Sequence, residues 1–331
     1  MMRICVISLF LCVSLSACET QSMREGVDFS PDQAQTTSVP IREGFARTPD
    51  GVNLYYRTVG SGTQTVIAPF ALYHGTSLDA LAVDRRIVTY DPRGRGQSDP
   101  VEADKVSLDH LLIDLETVRK AVSAEKIAII GWSGAGMETY VYALRYPKHV
   151  SRLIQLAPVA ARFNPYSAMM IADRQQRTDQ SARAALQQRI EAGEFADNPA
   201  EHCRAYSDVA DPPLFADPRN LPTIPDVCIY ENELPENLGR YFGALFESIN
   251  NYDWRSSLNA LEIPRLVIHG AQDNIPLQGN KEWVSGITSA RLLVIDNAGH
   301  WPVYEQPQTT LSAIDTFLSG SWPIDALQLP N

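Results

Sequence analysis

Cysteine is scarce: of five, Cys5, Cys12 and Cys18 fall in the first eighteen residues, leaving only Cys203 and Cys228 beyond them. No C-x-x-C, no H-E-x-x-H and no histidine pair at ligand spacing occurs, so nothing points to a metal. Basic residues are outnumbered, 28 Lys and Arg against 39 Asp and Glu, and the net charge of −11 argues against nucleic acid as a partner. No internal repeat or long low-complexity run is present. The N-terminal apolar run, residues 4–15, is too short for a comfortable membrane span. What is present is the composition of a globular protein, 44% hydrophobic and 20% charged. A length of 331 residues accommodates one large α/β domain with an insertion, or two small domains.

Arg3 precedes the apolar run, which ends in Leu15-Ser16-Ala17-Cys18. That ending resembles the bacterial lipobox, where cleavage falls before the cysteine and lipid is attached to it. The resemblance implies a signal peptide over 1–17, an acylated Cys18, and an exported protein anchored to a membrane of the bacterial envelope, periplasmic or outer. Glu19 after the cysteine points to the outer membrane. A plain secretory signal cleaved after Ala17 is the alternative. The polar residues up to 40 read as a tether. Export to an oxidising compartment would permit a disulfide between Cys203 and Cys228; two free buried thiols are the other reading.

From residue 41 a hairpin is predicted, strands near 41–47 and 52–59 joined at Pro49-Asp50-Gly51. Further β-rich runs lie at 65–68, 86–90, 126–130 and 152–156. Ser107 caps a helix to about 123, with Leu108, Leu111, Leu112, Leu115 and Val118 on one face. The alternation predicts a mostly parallel sheet covered on both sides. Over 158–257 strands vanish, and helical stretches such as 168–191 alternate with proline-rich joints. This reads as a helical insertion, a cap between two parts of one core (41–157 and 258–331). Strands return at 265–269 and 291–295.

The string Gly131-Trp132-Ser133-Gly134-Ala135-Gly136 lies between a buried strand and a helix running to about 146. This is the context of a nucleophile elbow, with Ala135 where the G-x-S-x-G pattern asks for glycine. A serine hydroxyl needs a general base, and the base an orienting carboxylate. His300 follows one later strand and Asp273 follows another, both at the sheet edge where Ser133 lies. Asp296 is a rival carboxylate, and His269 is read as a packing residue. The chain order Ser133, Asp273, His300 is that of α/β-hydrolases.

Four segments together resemble the α/β-hydrolase superfamily, and within it the capped group of proline iminopeptidases and small esterases. They are Asp91 to Asp99 (D-x-R-G-x-G-x-S-D), the elbow, His269-Gly270-Ala271-Gln272-Asp273, and Ala298-Gly299-His300-Trp301-Pro302 with Glu305 and Pro307. The resemblance implies an α/β-hydrolase fold with a helical cap, no cofactor, and a small-molecule substrate cleaved through an acyl-enzyme. Ser133 argues against dehalogenase or epoxide hydrolase chemistry, which needs an aspartate nucleophile. One oxyanion donor is expected at the Gly134 amide. The second falls at Ala71 or in the Gly75–Thr76 region. Spacing favours Ala71, with residues 72–82 as a short helix. Asp91 and Arg93 are expected to hold a loop. Trp132 and Glu231 are candidate substrate contacts. Ester or lactone hydrolysis is the leading reading. An N-terminal aminopeptidase would need acidic cap residues such as Glu231, Glu233 and Glu247 to hold an ammonium. A ligand receptor on the same fold is the non-enzymatic alternative.

Overall fold

The structure is a computed structural model describing residues 39–330, so Cys18 and the signal read from the sequence lie outside the described residues. Strands β1 (Ile41–Arg47) and β2 (Asn53–Val59) form the expected hairpin, paired from Ile41↔Val59 to Arg47↔Asn53. Gly51 turns it at φ 96°, a left-handed value that favours glycine. Then follow β3 (Gln64–Pro69), β4 (Arg85–Tyr90), β5 (Ile127–Trp132), β6 (Val150–Leu156), β7 (Arg265–Gly270) and β8 (Ala290–Ile295). The eight strands lie in the order β1-β2-β4-β3-β5-β6-β7-β8, with β3 to β8 parallel and β1 and β2 antiparallel at one edge.

The helices are α1 (Ala71–His74), α2 (Leu108–Ala121), α3 (Gly134–Arg145), α4 (Tyr166–Arg177), α5 (Gln180–Glu191), α6 (Pro199–Ala210), α7 (Pro235–Ser248), α8 (Leu277–Lys281), α9 (Pro302–Glu305) and α10 (Pro307–Leu318). Successive strand residues point to opposite faces, so the buried sheet feeds two cores. Ile67, Ile129, Leu153 and Val267 pack with Leu112, Leu115 and Val118 of α2 and Met137 of α3. Val66, Ile130, Ile154 and Leu266 pack with Ile314 and Phe317 of α10. Ser107 caps α2 as expected, its side chain accepting from the His110 amide.

Two expected helices come out differently. Residues 72–82 are not one helix: α1 is a single turn, and Gly75 at φ 51° ends it before a 3-10 turn at Asp79–Val83. The stretch 168–191 breaks at Thr178. Asp179 then caps α5, accepting from the Ser181 and Ala182 amides. The insertion is helical as read, apart from an isolated bridge of Arg162 to Asp253. The described residues form one compact unit. The segment after α10 also has a place. Leu327 exchanges two backbone hydrogen bonds with Leu292, covering the outer edge of β8.

Cys203 and Cys228 are bonded, with Cα atoms 5.7 Å apart, tying α6 to the turn at Val227–Ile229. The bond closes a loop across 25 positions of sequence. Chain-entropy arguments give such a closure roughly 3 kcal/mol. The double variant Cys203→Ser/Cys228→Ser should therefore unfold at lower denaturant; an unchanged midpoint would show that the bond adds nothing to stability.

Candidate active site

Strand β5 runs into α3 with one residue between them, and that residue is Ser133. Its backbone sits at φ 55°, ψ −123°, outside the regions an L-residue prefers. Its amide donates to the Leu156 carbonyl at 3.0 Å, and its carbonyl accepts from Gly136 and Val159. The turn is tight enough to need two glycines. A Cβ on Gly131 would meet Thr139 Oγ1 at 2.3 Å, and one on Gly136 would meet Pro158 Cβ at 2.6 Å. Position 135 tolerates alanine because its methyl faces Phe70 and Leu72 and packs there. The departure from the elbow pattern thus falls at a position where a side chain fits.

The loops after β7 and β8 bring the partners. Gly270 and Gly299 let them close together, since a Cβ on Gly270 would meet the Gly299 carbonyl oxygen at 2.0 Å. His300 Nε2 lies 2.8 Å from Ser133 Oγ. His300 Nδ1 lies 3.1 Å from both Asp273 carboxylate oxygens. Asp273 also accepts the Ile275 amide, and its side chain is fully buried. Asp296, the rival carboxylate, is exposed. His269 is buried and bonded to Asn280, and burial holds its imidazole below the usual value. A hydroxyl bonded to an imidazole that faces a carboxylate can give up its proton while attacking a carbonyl carbon.

Trp132 is half-buried and frames this group. Its indole N–H donates to the His300 carbonyl at 2.9 Å, and its ring stacks on Trp301 at 4.0 Å. Tyr73 meets both indoles edge-on. His300 is held from the cap as well: its amide donates to the Leu214 carbonyl at 2.7 Å. Glu305 fixes the same junction. One carboxylate oxygen accepts from the Gly299 amide at 2.6 Å, the other from Ala216 at 2.8 Å and Asp217 at 3.2 Å.

Ala71 and Gly134 are the first residues of α1 and α3, so neither amide has an intrahelical carbonyl to bond. Phe70, just before Ala71, is left-handed at φ 68°, ψ 58°, strained for a bulky residue. Asp91 holds this loop, accepting from the Leu72 amide at 2.8 Å and the Gln97 amide at 3.0 Å. Burial pushes the Asp91 carboxyl up to about 7 against those two donors. Arg93 is buried between Asp114 and Asp50. Both residues therefore hold loops, as expected.

The structure adds residues that the sequence did not single out. Arg95 is buried, paired with Glu233 at 2.7 and 2.8 Å, and bonded to the Tyr73 hydroxyl at 2.9 Å. Rings of Phe70, Tyr73, Tyr241 and Phe242 surround its guanidinium at 5.0 to 5.6 Å. Glu233 is thereby neutralised, while Glu231 and Glu247 are exposed. No hydrogen bond joins Glu231 to the Ser133 group among the described residues. Glu138 of α3 is buried, and desolvation pushes its carboxyl up to about 7. A lone charge on a helix face otherwise built from Met137, Val141 and Tyr142 is the sequence signal that could have marked it.

A serine, histidine and aspartate joined by hydrogen bonds at the C-terminal edge of a mostly parallel sheet define a hydrolase-type site. Residues 70–307 match the alpha/beta hydrolase fold family, and the chain belongs to that family and is an enzyme of the hydrolase class. It is 22% identical to a proline iminopeptidase of Saccharolobus solfataricus, over 88% of this chain and 96% of that one. Among solved structures, an esterase from Exiguobacterium antarcticum superposes with a TM-score of 0.63 at 17% identity, covering 84% of this chain and all of that one. Est816, described as an N-acyl homoserine lactone degrading enzyme, superposes at 0.62 with 20% identity, covering 83% and 100%.

The Glu305 junction gives a direct test. Glu305→Gln sets an amide NH2 against backbone N–H donors, a mismatch costing about 1–3 kcal/mol. The variant should fall in kcat more than in substrate affinity, because the His300 loop loosens. Full kcat with lowered thermal stability would limit Glu305 to a structural role.

Proposed function

We propose that the protein is a serine hydrolase that cleaves an ester, lactone or amide bond of a small substrate. The observation that carries this is the continuous chain Ser133 Oγ to His300 at 2.8 Å and His300 to Asp273 at 3.1 Å. His300 takes the Ser133 proton as the oxygen attacks the substrate carbonyl. Asp273 orients the imidazole and stabilises the imidazolium that forms. The oxyanion of the tetrahedral intermediate rests on the Gly134 and Ala71 amides, two donors left free by helix geometry. His300 then protonates the leaving group, and in the second half it activates water to release the acid.

Ser133→Ala should lower kcat/KM for a short-chain p-nitrophenyl ester roughly a thousandfold or more, and abolish labelling by a fluorophosphonate. Asp273→Asn should cost a comparable factor by favouring the wrong imidazole tautomer. Labelling that persists in Ser133→Ala would move the nucleophile elsewhere and overturn the reading.

An N-terminal aminopeptidase is the second reading, supported by the likeness to a proline iminopeptidase. Of the three cap glutamates that could hold an ammonium, Glu233 is already occupied by Arg95, which weighs against the cap as its site. Cleavage of proline or alanine arylamides with a free-amine requirement would favour this reading over the esterase.

We further propose that Cys18 is acylated and anchors the enzyme to a bacterial envelope membrane, on the strength of Leu15-Ser16-Ala17-Cys18 alone. Cys18→Ser should move the protein from the membrane fraction to the soluble one; unchanged fractionation would remove the anchor.

A further inference from the structure

A cavity separate from the Ser133 group lies at the joint of core and cap. It holds about 220 Å³ between the core loop at 100–106 and the cap residues Asn232, Asn237, Arg240 and Tyr241. None of these residues bonds to Ser133, His300 or Asp273. Pockets for drug-sized ligands run to about 300–1,000 Å³, so this one suits a smaller molecule. Part of its wall is apolar: Val106 and Tyr241 belong to one buried cluster, and Val101 packs against it.

The polar groups that line the cavity divide into acceptors without donors and donors without an anion. Asn232 is only 7% exposed. Its Nδ2 donates to the Gly96 carbonyl at 3.1 Å and the Ser98 carbonyl at 2.8 Å. Those two bonds use both N–H groups and fix the orientation of the amide, which leaves Oδ1 as an acceptor that no side chain or backbone group meets among the described residues. Unlike the Tyr241 hydroxyl, Oδ1 is not sealed off within the protein, so on a residue this buried it faces the cavity. Glu102 caps no helix amide with its side chain and forms no ion pair among the described residues. Arg240 turns to the neutral Asn237 Oδ1 and not to Glu236, one turn back on α7. Asn237 is held in turn, its Nδ2 donating to the Glu231 carbonyl at 2.8 Å. Arg240 and Glu102 therefore line one cavity as opposite charges that do not pair with each other.

We propose that this cavity binds a small zwitterion, an α-amino acid with an aliphatic side chain, and that the bound molecule straps the cap to the core. An ammonium has three N–H donors and no acceptor, which suits the Glu102 carboxylate and Asn232 Oδ1. A carboxylate suits the fork of the Arg240 guanidinium. The aliphatic side chain would lie on Val101, Val106 and the Tyr241 ring. A simple anion would meet like charge at Glu102, and a simple cation would leave Arg240 without an anion. The site is independent of the serine-hydrolase reading, since binding is measured without turnover.

The test adds L-leucine to the full chain, and to Glu102→Gln and Arg240→Gln, and reads melting temperature and calorimetric affinity. Both side chains are exposed, so the variants should fold. L-leucine should raise the melting temperature of the wild type. Each variant should bind it roughly tenfold more weakly, the worth of one charge-assisted hydrogen bond. L-leucinol, which lacks the carboxylate, and 4-methylpentanoate, which lacks the ammonium, should bind the wild type more weakly than L-leucine. No response to L-leucine in the wild type would overturn the proposal. An affinity unchanged in both variants would also do so, by placing the amino acid elsewhere. Binding of 4-methylpentanoate as tight as that of L-leucine would reduce the cavity to an anion site and remove the zwitterion. Variants that melt lower without ligand, in a protein indifferent to L-leucine, would show that Glu102 and Arg240 pair directly, which is equally fatal to it.

Discussion

An L-residue remains at φ 55°, ψ −123° only where its surroundings leave no alternative, and that is the situation of Ser133. Such backbone costs about 1–3 kcal/mol, which the surrounding structure must over-determine. Three things do so. The Ser133 amide is held on Leu156 of the neighbouring strand, and its carbonyl is shared by Gly136 and Val159. Gly131 and Gly136 permit α3 to approach β5 and Pro158 more closely than a side chain would allow. The buried run Ile127 to Ile130 fixes the strand that feeds the turn. From this one constraint follow the outward hydroxyl and the free Gly134 amide.

The second constraint is a charge buried between the core and the cap. The Arg95–Glu233 pair lies under rings from α1 and α7. Buried ion pairs add little net stability, because desolvation offsets their attraction, yet removing one partner is expensive. The pair therefore contributes more to placement than to stability. It sets the cap segment around Glu233 against Gly96, and it sets Phe70, next to Ala71, against the same guanidinium. Asp91 reaches the same loop from the other side through the Leu72 amide. Glu305 joins cap to core at a separate point, beside His300. Both attachment points fall where geometry matters most for the proposed acyl transfer: the expected oxyanion loop and His300.

What the sequence revealed was whatever depends on local pattern. Strand runs such as 126–130 and 291–295 were legible because continuous β-branched and apolar residues describe a strand buried on both faces. Ser133, Asp273 and His300 were legible because each follows such a run, and parallel strands deliver their ends to one edge. The single turn of α1 was missed: Gly75 stood out as unfavourable inside a helix over 72–82, yet the spacing argument outweighed it, and at φ 51° it ends the helix. Arg95 with Glu233 was missed for another reason. The two are 138 residues apart, and no local pattern says that one cation will meet one particular glutamate. The pairing of Cys203 with Cys228 had remained open because sequence does not supply the Cα separation.

The cap differs from the core in how it is held. Helix α4 buries only Tyr166, α5 only Leu186, α6 only Cys203 and Ala205, and α7 only Tyr241 and Leu245. So little apolar burial gives the cap little hydrophobic stabilisation of its own. It is secured instead by a disulfide, by Arg95 with Glu233, by the Glu305 junction, and by Arg162 with Glu282. Point attachments leave the surface between them free to change without disturbing the sheet that carries Ser133, Asp273 and His300. That separation explains how one strand–turn–helix scaffold serves many substrates, and why the fold by itself leaves the substrate open. The joint itself lies beside the Ser133 group, where the Leu214 carbonyl accepts from the His300 amide and the Ala216 amide donates to Glu305.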